Sequence, residues 1–233
     1  MNILFKGFNY SQDGPGNRLV YHLLGCNLRC SWCSNPESVA ENGVLLVKGP
    51  LQDFWCPYGA IQGGVLNRIP CATCEEKPCL RKSAGALVFS CFSMSVAEVL
   101  DEAKRSAGFF FDGGGVTFTG GEPTVQFTEL KECLVGLKSL GIHTALETNG
   151  THPELMQLSS LTDYLILDCK HYDSVKHKRF TGEGNETVLS NVRTAASTRT
   201  QLLIRIPLIK GFNATRKDAT NFAALFLSLG AQG

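Results

Sequence analysis

Gly113-Gly114-Gly115-Val116-Thr117-Phe118-Thr119-Gly120-Gly121-Glu122-Pro123 is the stretch from which the fold can be read. Residues 116–119 are β-branched and aromatic and lie between glycines, which predicts a short strand. Phe127, Leu130, Leu134 and Leu137 then recur at helical spacing, so 124–140 reads as an amphipathic helix closed by Gly141. The strand–turn–helix unit repeats in both directions. Downstream, strands at 143–147, 164–168 and 201–206 alternate with helices at 153–159, near 187–197 and at 216–229. Upstream, a helix fits 95–106, with Ser95 as N-cap and Glu98 at the capping-box position, and a strand fits 19–24. Lys176-His177-Lys178-Arg179 is the densest basic patch and reads as a solvated helix face.

Strands alternating with helices imply right-handed βαβ crossovers and a parallel sheet. The expected fold is α/β, a partial (β/α) barrel with functional residues at the C-terminal ends of its strands. The series stops after its fifth strand and helix, at Gly230-Ala231-Gln232-Gly233, so the barrel is expected to be cut short. Residues 34–92 do not fit the repeat. The expected organisation is a barrel start with a functional loop (1–38), an inserted Cys-rich subdomain (39–92) and the remainder of the barrel (93–233).

Composition narrows the function. Of 233 residues, 43% are hydrophobic and 18% charged, enough for a sizeable core. The net charge of +1 gives no broad footprint for nucleic acid or an anionic membrane. No apolar run reaches the ~18 residues of a membrane span. The N-terminus has no signal-peptide apolar region, so the protein is expected to be cytoplasmic.

Ten cysteines in 233 residues fall well below the ~8–10% of a disulfide scaffold. Seven of them (Cys26, Cys30, Cys33, Cys56, Cys71, Cys74, Cys79) lie in the first 79 residues, and such clustering suits metal ligation. Cys26-Asn27-Leu28-Arg29-Cys30-Ser31-Trp32-Cys33 places three thiols within eight residues, in the loop after the first strand. A structural zinc site and a cubane cluster each close with four protein ligands. Three leave one iron of a cubane open to a ligand the protein does not supply; the alternative is a zinc site completed by a distant His or Cys. Thr119-Gly120-Gly121-Glu122-Pro123, one strand later, lets backbone approach a ligand closely, and Glu122 adds a carboxylate or an ordering role. Cys133, on the apolar face of a predicted helix, reads as packing. The five histidines share no spacing, and no Ser-His-Asp or P-loop pattern is present.

Together these motifs resemble the radical S-adenosylmethionine (SAM) enzymes, specifically the glycyl radical enzyme activating enzymes. The likeness runs through Asp13-Gly14-Pro15-Gly16, Gly25 to Cys33, Ser34-Asn35-Pro36-Glu37-Ser38 and Thr119 to Pro123. It continues through Glu147-Thr148-Asn149-Gly150, Asp168-Cys169-Lys170, Phe180-Thr181-Gly182 and Arg205-Ile206-Pro207 to Asn213. The resemblance implies a [4Fe–4S] cluster on Cys26, Cys30 and Cys33, with SAM on its open iron. One electron would cleave SAM to methionine and a 5′-deoxyadenosyl radical, which abstracts hydrogen from a glycine of a partner glycyl radical enzyme. By the same resemblance Trp32 would pack near the adenine with Ser34 nearby, and Gly120, Gly121 and Glu122 would meet the methionyl amino group. Alternation points Asp168 and Lys170 to the face that holds the zwitterionic methionine, and Cys169 to the core. Glu147 stands where the family usually has Asp beside a monovalent cation, and its extra methylene is a departure.

Some family members carry two ferredoxin-like halves in the insertion. Here the first half retains Cys56-Pro57 and the second Cys71, Cys74 and Cys79, so one auxiliary [4Fe–4S] cluster on these four is expected, with Cys91 as a fallback ligand and a zinc knob as the alternative. An electron donor of flavodoxin or ferredoxin type completes the expected partners. The competing functions are a radical SAM enzyme acting on a small molecule and a non-catalytic iron–sulfur electron-transfer protein.

Overall fold

A computed structural model describes residues 1–51, 56–72, 74, 76–198 and 200–231. The expected insertion is therefore described in part, and the chain's end at 232–233 lies outside the described residues. The strands are β1 (Asn2–Tyr10), β2 (Asn17–Leu23), β3 (Leu45–Val47), β4 (Ile61–Gln62), β5 (Val65–Leu66), β6 (Leu87–Phe89), β7 (Phe92–Ser93), β8 (Gly115–Gly120), β9 (Thr144–Thr148), β10 (Tyr164–Asp168) and β11 (Gln201–Arg205). The helices are α1 (Arg68–Ala72), α2 (Cys79–Lys82), α3 (Val96–Arg105), α4 (Phe127–Ser139), α5 (Leu155–Ser159), α6 (Ser174–Thr181), α7 (Glu186–Ala196) and α8 (Arg216–Ser228).

Among the described residues, seven strands form the main sheet in the order β11-β10-β9-β8-β2-β1-β7. From β2 to β11 every pairing is parallel and follows chain order, the winding of a barrel opened along one side. These are the five strands legible in the sequence. Two antiparallel strands, β1 and β7, extend the sheet beyond β2. β7 brings the chain back from the insertion by pairing Phe92 with Ile3.

The inner strands are buried on both faces, as parallel strands covered by helices are. Leu19, Tyr21 and Leu23 of β2, Val116 and Phe118 of β8, Leu146, Leu165 and Leu167 point to one side. There they pack with Val99 and Ala103 of α3, Leu130, Leu134 and Leu137 of α4, and Val188 and Val192 of α7. Alternation sends Arg18, Val20, His22, Thr117, Thr119, Glu147 and Asp168 to the opposite, concave face. Ser95 caps α3 in a reciprocal capping box with Glu98. The helix expected from residue 124 begins instead with a 3-10 turn, Pro123–Gln126, because Glu122 caps that turn by accepting from Thr124 N.

Within 39–92, the described residues form two small antiparallel pairs, β3 with β6 and β4 with β5. Leu51, Ile61 and Leu87 form a separate small core there, packed against Cys56, Leu66, Cys79 and Leu80.

Candidate active site

The concave face ends in a pocket of about 300 Å³ at the C-terminal ends of β2, β8, β9, β10 and β11. Cys26, Cys30, Cys33, Trp32, Ser34, Gly120, Gly121, Glu122, Glu147, Asp168 and Lys170 all line it. The cysteine loop and the double-glycine turn meet because their backbones bond directly. Gly121 N donates to Leu23 O at 2.9 Å, and Glu122 N donates to Gly25 O at 2.7 Å. Gly121 allows that approach: a Cβ there would lie 2.2 Å from Gly25 O. Gly120 sits at φ +124°, in the region that favours glycine.

Glu122 is 1% exposed, and donors saturate its carboxylate. Oε1 accepts from Thr124 N, Thr124 Oγ1 and Thr148 Oγ1, and Oε2 accepts from Asn149 N at 2.6 Å. Glu122 therefore orders the turn and ties it to the end of β9. Asn149 passes the tie onward, donating through Nδ2 to Asn27 Oδ1 in the cysteine loop at 3.0 Å.

Lys170 is 9% exposed, and its Nζ lies 3.0 Å from Asp168. Burial works against its ammonium, but Asp168 and the Cys30 sulfur outweigh it and hold the Lys170 pKa above the ordinary lysine value. Arg205 completes a second pairing. Its Nε donates to Asp168 at 2.9 Å and its Nη2 to Glu147. Glu147 thus meets a guanidinium where the family resemblance suggested a metal cation. Its other oxygen, Oε2, is buried and has no hydrogen-bond partner among the described residues.

Burial pushes the Cys26 thiol up to about 11 and raises Cys30, with Lys170 working against burial at both. Cys33 is exposed. Three thiols beside an ammonium fit a cluster that holds sulfur as thiolate and leaves one iron open. Sequence reading did not select Arg205, His22, Thr148, Asn149 or Asp13 as site residues, yet all line the pocket. Asp13, Thr148, Asn149 and Arg205 do lie in stretches that carried the family likeness. His22 stacks on Phe5 at 3.8 Å between ring centroids, across a bulge in the β1–β2 ladder that one sequence does not reveal.

Cys56, Cys71, Cys74 and Cys79 line a second, smaller pocket in the insertion. Burial raises the Cys71 thiol first, and Cys79, Cys74 and Cys56 add to it. Cys91 does not line this pocket; its sulfur lies against Gly43. Cys133 and Cys169 are fully buried in the core.

The radical SAM superfamily profile matches residues 20–223. The chain belongs to the radical SAM superfamily. It is 31% identical to the 4-hydroxyphenylacetate decarboxylase activating enzyme of Clostridioides difficile strain CD196, over 90% of this chain and 72% of that protein. It is 33% identical to the isethionate sulfite-lyase activating enzyme of Nitratidesulfovibrio vulgaris, over 98% of this chain and 81% of that protein. Among solved structures, Streptococcus suis SuiB bound to precursor peptide SuiA superposes with a TM-score of 0.56 at 12% identity, over 90% of this chain and 36% of that chain, a likeness of fold alone. Members of the superfamily use a [4Fe–4S] cluster and SAM, and the relatives place this chain among the activating enzymes. Among the described residues, no helix is long and apolar enough to cross a membrane.

Proposed function

We propose that this chain is a radical SAM activating enzyme that takes a hydrogen atom from a glycine of a partner glycyl radical enzyme. The observation that carries the reading is the meeting, in one pocket, of the Cys26–Cys30–Cys33 loop, the Gly120-Gly121 turn and the Asp168–Lys170 pair. Cys26, Cys30 and Cys33 would hold the SAM cluster. When bound, that cluster supplies the electron that cleaves the sulfonium bond of SAM, giving methionine and a 5′-deoxyadenosyl radical. Lys170 supplies a buried positive charge for the methionyl carboxylate, and Asp168, locked by Lys170 and Arg205, presents a fixed negative one. Trp32 packs 4.6 Å from the Phe212 ring, which fixes one flat wall for an adenine. Asp13 lines the pocket from the turn that precedes β2, where Thr117 Oγ1 donates to its carbonyl, and would face a glycine-bearing loop that enters the pocket.

The insertion is proposed to carry one auxiliary cluster on Cys56, Cys71, Cys74 and Cys79. Four thiols face one pocket, the number of cysteines that a [4Fe–4S] cubane takes. A flavodoxin- or ferredoxin-type donor in the cytoplasm would supply the electron.

The test follows the hydrogen atom. Reduced enzyme and SAM are incubated with a glycyl radical protein carrying α-deuterated glycine. The expected result is deuterium in 5′-deoxyadenosine and a glycyl radical signal on the partner. Turnover that labels 5′-deoxyadenosine only from a deuterated small metabolite would overturn the assignment.

A further inference from the structure

Resting on the reading above, we propose that Arg18 and Thr117 are positioning residues that hold Asp13 where it meets the glycine-bearing loop, and so couple SAM cleavage to hydrogen abstraction from glycine. Arg18 is fully buried on the concave face, at the N-terminal end of β2, where it pairs with Gly115 of β8. No ion pair involves it among the described residues. Burial lowers its guanidinium to about 10, so it keeps its charge at neutral pH. A buried charge is costly unless its donors are satisfied. Here neutral acceptors satisfy them: Nε donates to Thr117 Oγ1 at 2.7 Å, Nη1 to Pro15 O at 3.0 Å and Nη2 to Val116 O at 2.8 Å. An apolar side chain would fill this end of the barrel at less cost, but it would not grip the turn at 11–16.

The grip reaches Asp13 through one hydroxyl. Thr117 Oγ1 donates to Asp13 O at 2.7 Å. Arginine carries only donors, so Thr117 must accept from Arg18 and its single proton is left for Asp13. The direction of the relay is thereby fixed. With Pro15 O held by Nη1, the turn is clamped on both sides of Gly14. Gly14 lies directly on the arm of the clamp: at φ +121°, a Cβ there would stand 3.1 Å from Arg18 Cδ and 3.2 Å from Ala145 Cβ.

Asp13 is the member of this group that reaches the pocket; Arg18 and Thr117 do not line it. Asn9 Nδ2 donates to Asp13 Oδ2 at 2.6 Å, and no hydrogen bond among the described residues takes Oδ1. A carboxylate oxygen held in place with its lone pairs free can accept a backbone N–H of an entering loop. Misplacing such a group by about 1 Å can cost on the order of 10²-fold in rate.

The test uses the anaerobically reconstituted chain, dithionite as reductant and a glycyl radical protein carrying α-deuterated glycine. Thr117→Val keeps the side chain's shape and removes the relay, Thr117→Ser restores the hydroxyl, and Arg18→Lys keeps the charge without the fork. Circular dichroism checks that each variant folds, and the Thr117 pair decides alone if Arg18→Lys does not. Partner-free SAM cleavage in Thr117→Val should stay within about twofold of the parent. Deuterium transferred per 5′-deoxyadenosine should fall about fivefold or more in Thr117→Val and Arg18→Lys, and return to the parent value in Thr117→Ser. Adding Thr117→Val to Asp13→Ala should cause no further loss, because the relay acts through Asp13. Deuterium transfer in Thr117→Val equal to that of the parent would overturn the proposal. So would an equal fall in partner-free cleavage, which assigns Thr117 a general structural role, or a further loss in the double variant. A parent chain that cleaves SAM but never takes deuterium from glycine would instead overturn the function proposed above.

Discussion

Lys170 is proposed to serve a ligand without carrying the fold. Its pocket partner Asp168 also accepts from Arg205 at 2.9 Å, so removing Lys170 leaves no orphaned carboxylate. Lys170→Ala should therefore weaken SAM binding much more than it disturbs folding. Truncating one member of a desolvated charge pair costs ~2–5 kcal/mol, a loss of tenfold or more in affinity. Calorimetric titration with SAM reads the affinity, and the iron–sulfur absorption should be unchanged because Lys170 is not a ligand. Unaltered affinity would show that Lys170 does not face SAM. The residue scale also marks where sequence reading stops. Asp168 and Lys170 are legible because strand alternation puts i and i+2 on one face. Arg205 is not, since its carboxylate partners lie 37 and 58 positions away and only the sheet brings them together. Glu122 shows the opposite case: its place in the motif is legible, but its saturation by Thr124, Thr148 and Asn149 is a tertiary fact.

At the scale of elements, the five parallel strands could be read because each is a short, largely apolar run in a series that alternates with helices. Ser95 and Glu98 announced α3 for the same local reason. β1 was not read as a strand. Its alternation carries Asn2, Lys6, Gly7 and Asn9, and its pairing is a long-range antiparallel ladder with β2. β7, two residues long, has no local signal at all. Among its described residues, the segment 39–92 has only two- and three-residue strands and a core of a few side chains. Such a segment needs a staple, and its four pocket-lining cysteines are placed to supply one. Cys71→Ala should therefore lower the iron content of anaerobically reconstituted protein from about eight per chain to about four. Cleavage of SAM should partly survive, whereas Cys30→Ala should abolish it. Stoichiometric zinc with about four irons in the unaltered protein would exclude the auxiliary cluster.

The whole molecule buries many titratable groups, and their signs fix how stability depends on pH. His22, His143, His171 and His177 all have lowered pKa values, each chiefly through burial. In the unfolded chain they would titrate near 6.5. Below that pH the unfolded state binds more protons than the native one, so stability falls as pH falls. Glu147 acts in the opposite sense. Burial, opposed by Arg205, pushes it up to about 7, so from its unfolded value near 4.5 upward the native state holds the extra proton and stability falls as pH rises. A single fully shifted group contributes about 1.4 kcal/mol per pH unit. Four histidines against one carboxylate give a net loss of stability on acidification below about 6.5. On the alkaline side, burial pushes the Cys133 and Cys169 thiols up to about 12. Above about pH 9 the unfolded chain loses these protons and the native chain keeps them, so stability falls again. The cluster-free, reduced chain should then be most stable between about pH 6.5 and 9. Urea midpoints measured under anaerobic conditions should be highest at pH 7.5 and lower at both 5.5 and 9.5. A midpoint at pH 5.5 equal to that at 7.5 would mean that the buried histidines do not outweigh Glu147.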